Sequence, residues 1–244
     1  FADEKIVVDS GSTDDTVKVA EAHGARVVSQ PWLGFGPQRN FATALARNDW
    51  ILFLDADEAL SPELAREIER DLPALSSSGA AGAVLRRSAW YMGAPMRWYR
   101  PMVGEPQGRL YHRGRARWTD ARVHERLVFD GPVRAFRAPF HHHHSPTLVH
   151  KQLKVLRYAE LKATSRLDAG RGPRMWLTPF VFVGAFLRDY LLRLAILDGW
   201  RGFVAAHVAA TYAVYQRFRH YELSRNPASR ELAARLLAQH GLDR

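Results

Sequence analysis

The chain has 244 residues, 47% hydrophobic and 25% charged, as in one globular domain or a domain with an appendage, which excludes a disordered, collagen-like or low-complexity chain. It contains no cysteine, which excludes a disulfide framework, a zinc ribbon and a thiol nucleophile and fits a reducing compartment. Lys and Arg number 35 against 25 Asp and Glu, and the net charge of +10 suits an anionic partner: nucleic acid, a phosphorylated substrate or an acidic membrane surface.

The sequence opens on a strand-like run, Ile6-Val7-Val8, with no basic-then-apolar leader ahead of it, and reads as a cytoplasmic chain that is incomplete at its N-terminus. Residues 5–9 form a β-branched run suited to a buried parallel strand. Ser12 or Thr13 can cap a helix with Asp14 and Asp15 in its first turn, Val17 and Ala20 inward, and Gly24 at its end. Residues 26–29 read as a second strand, 30–37 as a loop, 38–47 as a helix and 50–54 as a third strand. Ser61-Pro62-Glu63 is a helix start with proline at the first helical position. The alternation argues an α/β sheet.

After a loop at 76–79 the texture changes. Strands are expected at 83–86, 109–112 and 123–129, with a hairpin at Asp130-Gly131. From about residue 147 the pattern is helical, with helices near 147–168, 174–198, 200–223 and 228–240. The apolar runs 175–187 and 202–216 stop at Arg188 and Arg217, short of the ~18–20 residues that cross a bilayer. Their aromatic and Leu content with interspersed Arg suits helices lying on an acidic membrane, or a soluble bundle.

The sharpest chemical feature is Leu54-Asp55-Ala56-Asp57-Glu58 at the end of an apolar strand, where open α/β sheets place ligands. Two carboxylates so spaced can share Mg²⁺ or Mn²⁺; acids of an ordinary solvated loop fit the isolated motif as well. Val8-Asp9-Ser10-Gly11-Ser12-Thr13-Asp14 offers donors and an acceptor for a base or ribose, though alone it reads more readily as a capping turn. The pair of strand ends, Asp9 and then Asp55-x-Asp57, is the rarer signal. Gln107 and Arg109, two apart on one strand, share a face; Arg109 suits a diphosphate or a phosphorylated acceptor, or is an exposed strand arginine. The four histidines at 141–144 read as a metal or anion site or as polar surface.

Further motifs follow in order: Gln30-Pro31-Trp32-Leu33-Gly34-Phe35, Gln38-Arg39-Asn40, Trp50 through Glu58, Gln107-Gly108-Arg109-Leu110-Tyr111, Trp118, Val123-His124-Glu125, Lys154 through Leu161, Arg188-Asp189-Tyr190 and Leu197-Asp198-Gly199. With Asp9 and its neighbours, this ordered set resembles the nucleotide-sugar glycosyltransferases of family 2, with the GT-A fold, and within them the lipopolysaccharide-core, heptose β-1,4-glucosyltransferase-like subgroup. The resemblance covers nearly the whole chain and implies an α/β, Rossmann-like, mostly parallel sheet with a helical C-terminal extension, divided at 1–145 and 146–244. The family's leading strand and helix, ahead of the Asp9 strand, have no counterpart here, so a central strand is expected to be missing.

By matching position, the resemblance makes Asp9 the residue facing uracil or ribose. Asp55 then lies near the ribose and shares the metal, Asp57 is the better metal ligand, and His142 completes the metal site or touches the diphosphate. Glu125 is the general base, with Glu58 as its competitor. The expected reaction is an inverting transfer of a sugar, glucose by resemblance, from a UDP-sugar to a lipid-linked or lipopolysaccharide-core acceptor. It needs Mg²⁺ or Mn²⁺ and takes place in the cytoplasm, at the inner face of the membrane. The other readings are a basic nucleic-acid-binding protein and a catalytically silent GT-A protein on a membrane surface. No nucleic acid partner is expected, because the arginines are spread along the chain and no binding module is present.

Overall fold

The computed structural model describes residues 1–103, 106–120, 125–145 and 147–239. The chain divides into two compact units, residues 1–87 with 105–141 and residues 88–104 with 142–244. Residues 88–104 thus group with the helical part rather than with the chain that flanks them.

In the first unit β1 (Ile6–Asp9) and β2 (Arg26–Ser29) pair in parallel, joined by α1 (Thr16–Ala22). The helix starts later than the Ser12 and Thr13 signals suggest. Asp9 binds the Gly11 and Ser12 amides and Asp14 binds the Thr16 amide, so the chain ahead of α1 is a polar turn. α2 (Phe35–Ala44) also starts earlier than read, directly after Gly34, whose φ of 102° suits glycine. β3 (Trp50–Leu52), β4 (Glu58–Leu60) and α3 (Pro62–Ser77) follow. Ser61 Oγ accepts the Leu64 amide at 3.0 Å, the capping expected at this start, and α3 lays Leu64, Ile68 and Leu75 into the core.

β5 (Gly82–Tyr91) and β7 (Gln107–His112) contain the two expected strands, with β6 (Ala94–Pro95) and the four-residue α4 (Arg100–Val103) between them. β8 (Ala116–Trp118), β9 (Leu127–Phe129) and β10 (Val133–Ser145) complete the strands. The strand read at 123–129 is β9; residues 123 and 124 lie outside the described residues. The Asp130-Gly131 turn is not a hairpin. β9 pairs with β8, and β10 runs between β5 and β4, so the turn joins strands of different sheets.

The main sheet runs β3-β7-β5-β10-β4, with β6 beside β5. The α/β class holds, but the sheet is mixed rather than mostly parallel: β7 is antiparallel to both β3 and β5. The segment between β5 and β7 carries too little helix for the crossover that parallel neighbours need. Leu64, Leu85, Leu110 and Phe140 form the centre of this unit's core.

The β1–β2 pair stands apart from the main sheet, and a cleft of about 490 Å³ is lined by Ile6, Val7 and Val8 and by Trp50 through Ala56, over α2. Consecutive residues of a strand line one cavity only when the strand's edge faces it, because its side chains alternate. The hydrogen bonds agree. The Lys5 and Asp9 carbonyls accept from Arg26 and from Gln30, just past β2, while the Asp49 carbonyl accepts from Arg113, just past β7, and the Phe53 amide donates to the Arg109 carbonyl. By alternation Ile6, Val8, Trp50 and Leu52 turn their backbone groups into the cleft.

In the second unit α5 (Leu148–Asp168) is capped by Thr147, whose side chain accepts the His150 amide. α6 (Thr178–Leu187), α7 (Gly199–Arg225) and α8 (Ser229–Gln239) follow. The single helix read at 174–198 is broken into a 3-10 turn (Met175–Leu177), α6, a π turn (Arg188–Leu192) and a second 3-10 turn (Ala195–Asp198). The break serves two aspartates. Asp189, fully buried, accepts the Tyr99 hydroxyl at 2.7 Å and pairs with Arg188 and Arg193, while Asp198 accepts the amides of Arg97, Trp98 and Tyr99. Between them Leu194 turns left-handed at φ 62°. A side chain at Gly202 would strike the Ala195 carbonyl, so α7 closes tightly on this corner.

Candidate active site

The turn after β3 is built as a carboxylate–guanidinium chain. Arg39 donates to Glu125 at 2.7 Å and to Asp55 at 3.1 Å, and Arg109 donates to Asp55 at 3.1 Å and to Glu58 at 2.5 Å. The order Glu125–Arg39–Asp55–Arg109–Glu58 alternates charge, so each buried guanidinium is held between two acids. Glu58 also accepts the Asp55 amide at 3.1 Å, and the Glu58 amide donates to the Asp55 carbonyl, which closes the turn. The Glu58 side chain is only 2% exposed, against 17% for Glu125 and 35% for Asp55. Glu58 is therefore committed inside the turn, and Glu125 and Asp55 are the more exposed acids of this chain of ion pairs.

Aromatic packing fixes the guanidinium planes. The Arg39 head lies 4.4 Å from the Trp118 ring and 4.9 Å from that of Phe53, and Arg109 lies between Phe53 and Phe140. α2 is clamped to β8 because the Asn40 amide bonds the Trp118 backbone in both directions, at 2.8 and 3.0 Å. A Cβ at Gly36 would sit 1.9 Å from the Thr119 carbonyl, so only glycine permits this approach. β9, just after Glu125, is seated by Phe129, whose ring covers Gly82 and Gly108 where any side chain would collide. Gln38 joins Ser10, at 3.0 Å, to the loop ahead of α2 through the Leu33 amide.

Asp55, Arg109 and Glu125 of the residues singled out in the sequence are brought into one network. Arg109 is buried and its Nη2 donates to Asp55 and Glu58, which corrects its reading as an exposed strand arginine. Asp57 occupies the same turn, partly buried. Asp9 ends β1, where the Ser12 hydroxyl and then the Gly11 and Ser12 amides hold its carboxyl below the usual carboxylate range. Gln107 opens β7, half-buried, opposite Leu85. His142 lies in β10 and groups with the helical unit. Val123 and His124 lie outside the described residues. Arg39 and Asn40 are the residues that sequence reasoning left without a role; their signal was the Gln38-Arg39-Asn40 motif itself.

The profile described as "Glycosyl transferase family 2" matches residues 2–129, from the strand of Asp9 through β9. The chain belongs to glycosyl transferase family 2. A lipopolysaccharide core biosynthesis glycosyltransferase, LpsC of Rhizobium meliloti, is 33% identical over 88% of this chain and 83% of its own length. An uncharacterized glycosyltransferase of Rickettsia bellii is 29% identical over 100% of this chain and 87% of its own. Among solved structures, S. aureus TarS 1–349 is similar with a TM-score of 0.41 and 14% identity, covering 92% of this chain and 82% of that one.

Proposed function

We propose that this family 2 enzyme is an inverting glycosyltransferase that moves a sugar, glucose by resemblance, from a UDP-sugar to a lipid-linked or lipopolysaccharide-core saccharide at the inner face of the cytoplasmic membrane. The observation that carries the reading is the Glu125–Arg39–Asp55 chain. It sets the candidate base and the first acid of the Asp-x-Asp motif on opposite ends of one rigid guanidinium. The acceptor half of the reading is supported by the relative named for lipopolysaccharide core biosynthesis.

In this mechanism Glu125 takes the proton from the acceptor hydroxyl as that oxygen attacks the anomeric carbon. The bond to the UDP oxygen breaks on the opposite face, and the anomeric configuration inverts. Arg39 keeps Glu125 in place without filling its second carboxylate oxygen. Asp55 and Asp9 are the acceptors offered to the nucleoside hydroxyls and base. Among the described residues no cluster of three or more His, Asp or Glu forms a ready-made metal cage. Asp57 fits instead the way Mg²⁺ is bound in phosphate sites, through one or two carboxylates plus the substrate's phosphates. A cation held there by Asp57 would offset the charge that builds on the departing diphosphate.

The test is UDP release from a panel of UDP-sugars with lipopolysaccharide-core acceptor and full-length protein. Glu125→Gln should lower the transfer rate by ~10²–10⁴ with donor binding nearly unchanged. Asp57→Ala and chelator should each abolish transfer. Full activity in excess chelator would remove the metal from the mechanism, and a near-normal Glu125→Gln would move the base elsewhere.

A further inference from the structure

We infer that α6 and the corner that follows it form a seat for an acidic lipid bilayer, on which the helical unit lies without crossing. The inference stands on this unit alone and does not depend on the transfer reaction.

Phe180, Val183 and Leu187 recur at spacings of three and four on one face of α6, Trp176 and Leu191 lie in the turns that flank it, and all five are exposed. Trp176 is 72% exposed and Phe180 71%. The other face of α6 is already used: Phe182 meets His207, and Phe186 meets Phe203 at 5.6 Å, both on α7. The apolar stripe is therefore not a core face awaiting its own helix bundle. At its far end Leu192, Leu197 and Trp200, the last 80% exposed, continue the apolar surface, and the Trp200 ring rests on Phe203.

Charge identifies what covers this face. Arg171, Arg174, Arg188, Arg193 and Arg201 surround it in the sequence. The acids of the same stretch, Asp189 and Asp198, are turned inward, one into its buried ion pairs and the other onto the amides of Arg97 through Tyr99. Apolar side chains flanked in the sequence by the exposed Arg171, Arg174 and Arg201 match the acyl boundary and phosphate headgroups of an anionic leaflet.

Packing argues for lying rather than spanning. Met175–Leu192 is long and apolar enough by composition to cross, with mean hydropathy 1.3 over 18 residues. Its Phe182 and Phe186 already pack on α7, however, and its last turn carries Asp189, fully buried and ion-paired with Arg188 and Arg193, charges that a bilayer interior disfavours.

The experiment is co-sedimentation of the purified protein, without donor or acceptor, with vesicles of phosphatidylethanolamine and phosphatidylglycerol, and with phosphatidylcholine vesicles as control. Binding is expected to the acidic vesicles, with a blue shift of tryptophan emission, and to weaken at high salt. The triple variant Trp176→Ser, Phe180→Ser, Trp200→Ser should keep its circular dichroism and melting temperature, since these side chains are exposed, and lose at least ~100-fold in vesicle affinity. No binding to acidic vesicles at low salt overturns the proposal. So does equal binding by the folded triple variant. If the protein instead self-associates without lipid and the variant is monomeric, the face belongs to a second copy and the lipid seat is wrong.

Discussion

Glu58 and Glu125 look alike as candidate bases in the sequence, and burial with hydrogen bonding separates them. Glu58 holds Arg109 and the Asp55 amide at 2% exposure, so removing it leaves a buried guanidinium with Asp55 as its remaining acid in the chain. Glu58→Ala should cost about 3 kcal/mol of stability in a urea melt, the scale of a broken buried pair. Glu125→Gln should change stability by no more than about 1 kcal/mol, because Glu125 is partly solvated and its amide can still accept from Arg39. Equal losses from the two variants would show that Glu125, too, is a structural acid. The spacing of Asp55, Asp57 and Glu58 marked the turn, but an ordinary solvated loop fits the same spacing, and only the Asp9 strand end and the ordered motifs around it tipped the reading. Arg39 was visible only as part of a motif. Nothing local in Gln38-Arg39-Asn40 says that the guanidinium reaches residue 125, because that contact is made by the tertiary clamp of Asn40 on Trp118.

At the level of elements, strands 26–29 and 50–54 and the α3 start were legible because period, turn residues and caps agreed. The helix read at 174–198 failed because every residue in it is an adequate helix former, and the π turn and left-handed Leu194 are imposed by the ion pairs of Asp189. Burial pushes the Asp189 carboxyl up, but hydrogen bonds from Tyr99, Arg188 and Arg193 outweigh it and hold the group below the usual carboxylate range. A depressed folded pKa contributes stability that is present above the unfolded value, about 3.9, and is lost as pH falls through the folded value. The helical unit should therefore keep its near-ultraviolet circular dichroism down to about pH 4 and lose it below, as Asp189 protonates. Asp189→Asn should melt several degrees lower at pH 7 and show a flatter acid limb. An acid limb identical to that of the parent chain would remove Asp189 from the account.

For the whole molecule, the feature with the widest reach is the cleft between β1 and β3. Ile6 and Val8 on one side and Trp50 and Leu52 on the other direct backbone donors and acceptors into it, and β1–β2 has no ladder to the main sheet among the described residues. A strand laid into the cleft would pair with both edges and merge the β1–β2 pair with the main sheet. It would also bring its own end beside Asp55, which lines the same cleft. Two rows of unpaired edge groups are the kind of surface that folded proteins cover. In hydrogen exchange on residues 1–244, the amides of Ile6, Val8, Trp50 and Leu52 should exchange far faster than those of Val7 and Ile51, which bond to β2 and β7. When a strand-forming peptide is supplied to the cleft, the same four amides should become protected and the melting temperature should rise. If saturating peptide leaves these four amides as exposed as before, the cleft is not a seat for a strand.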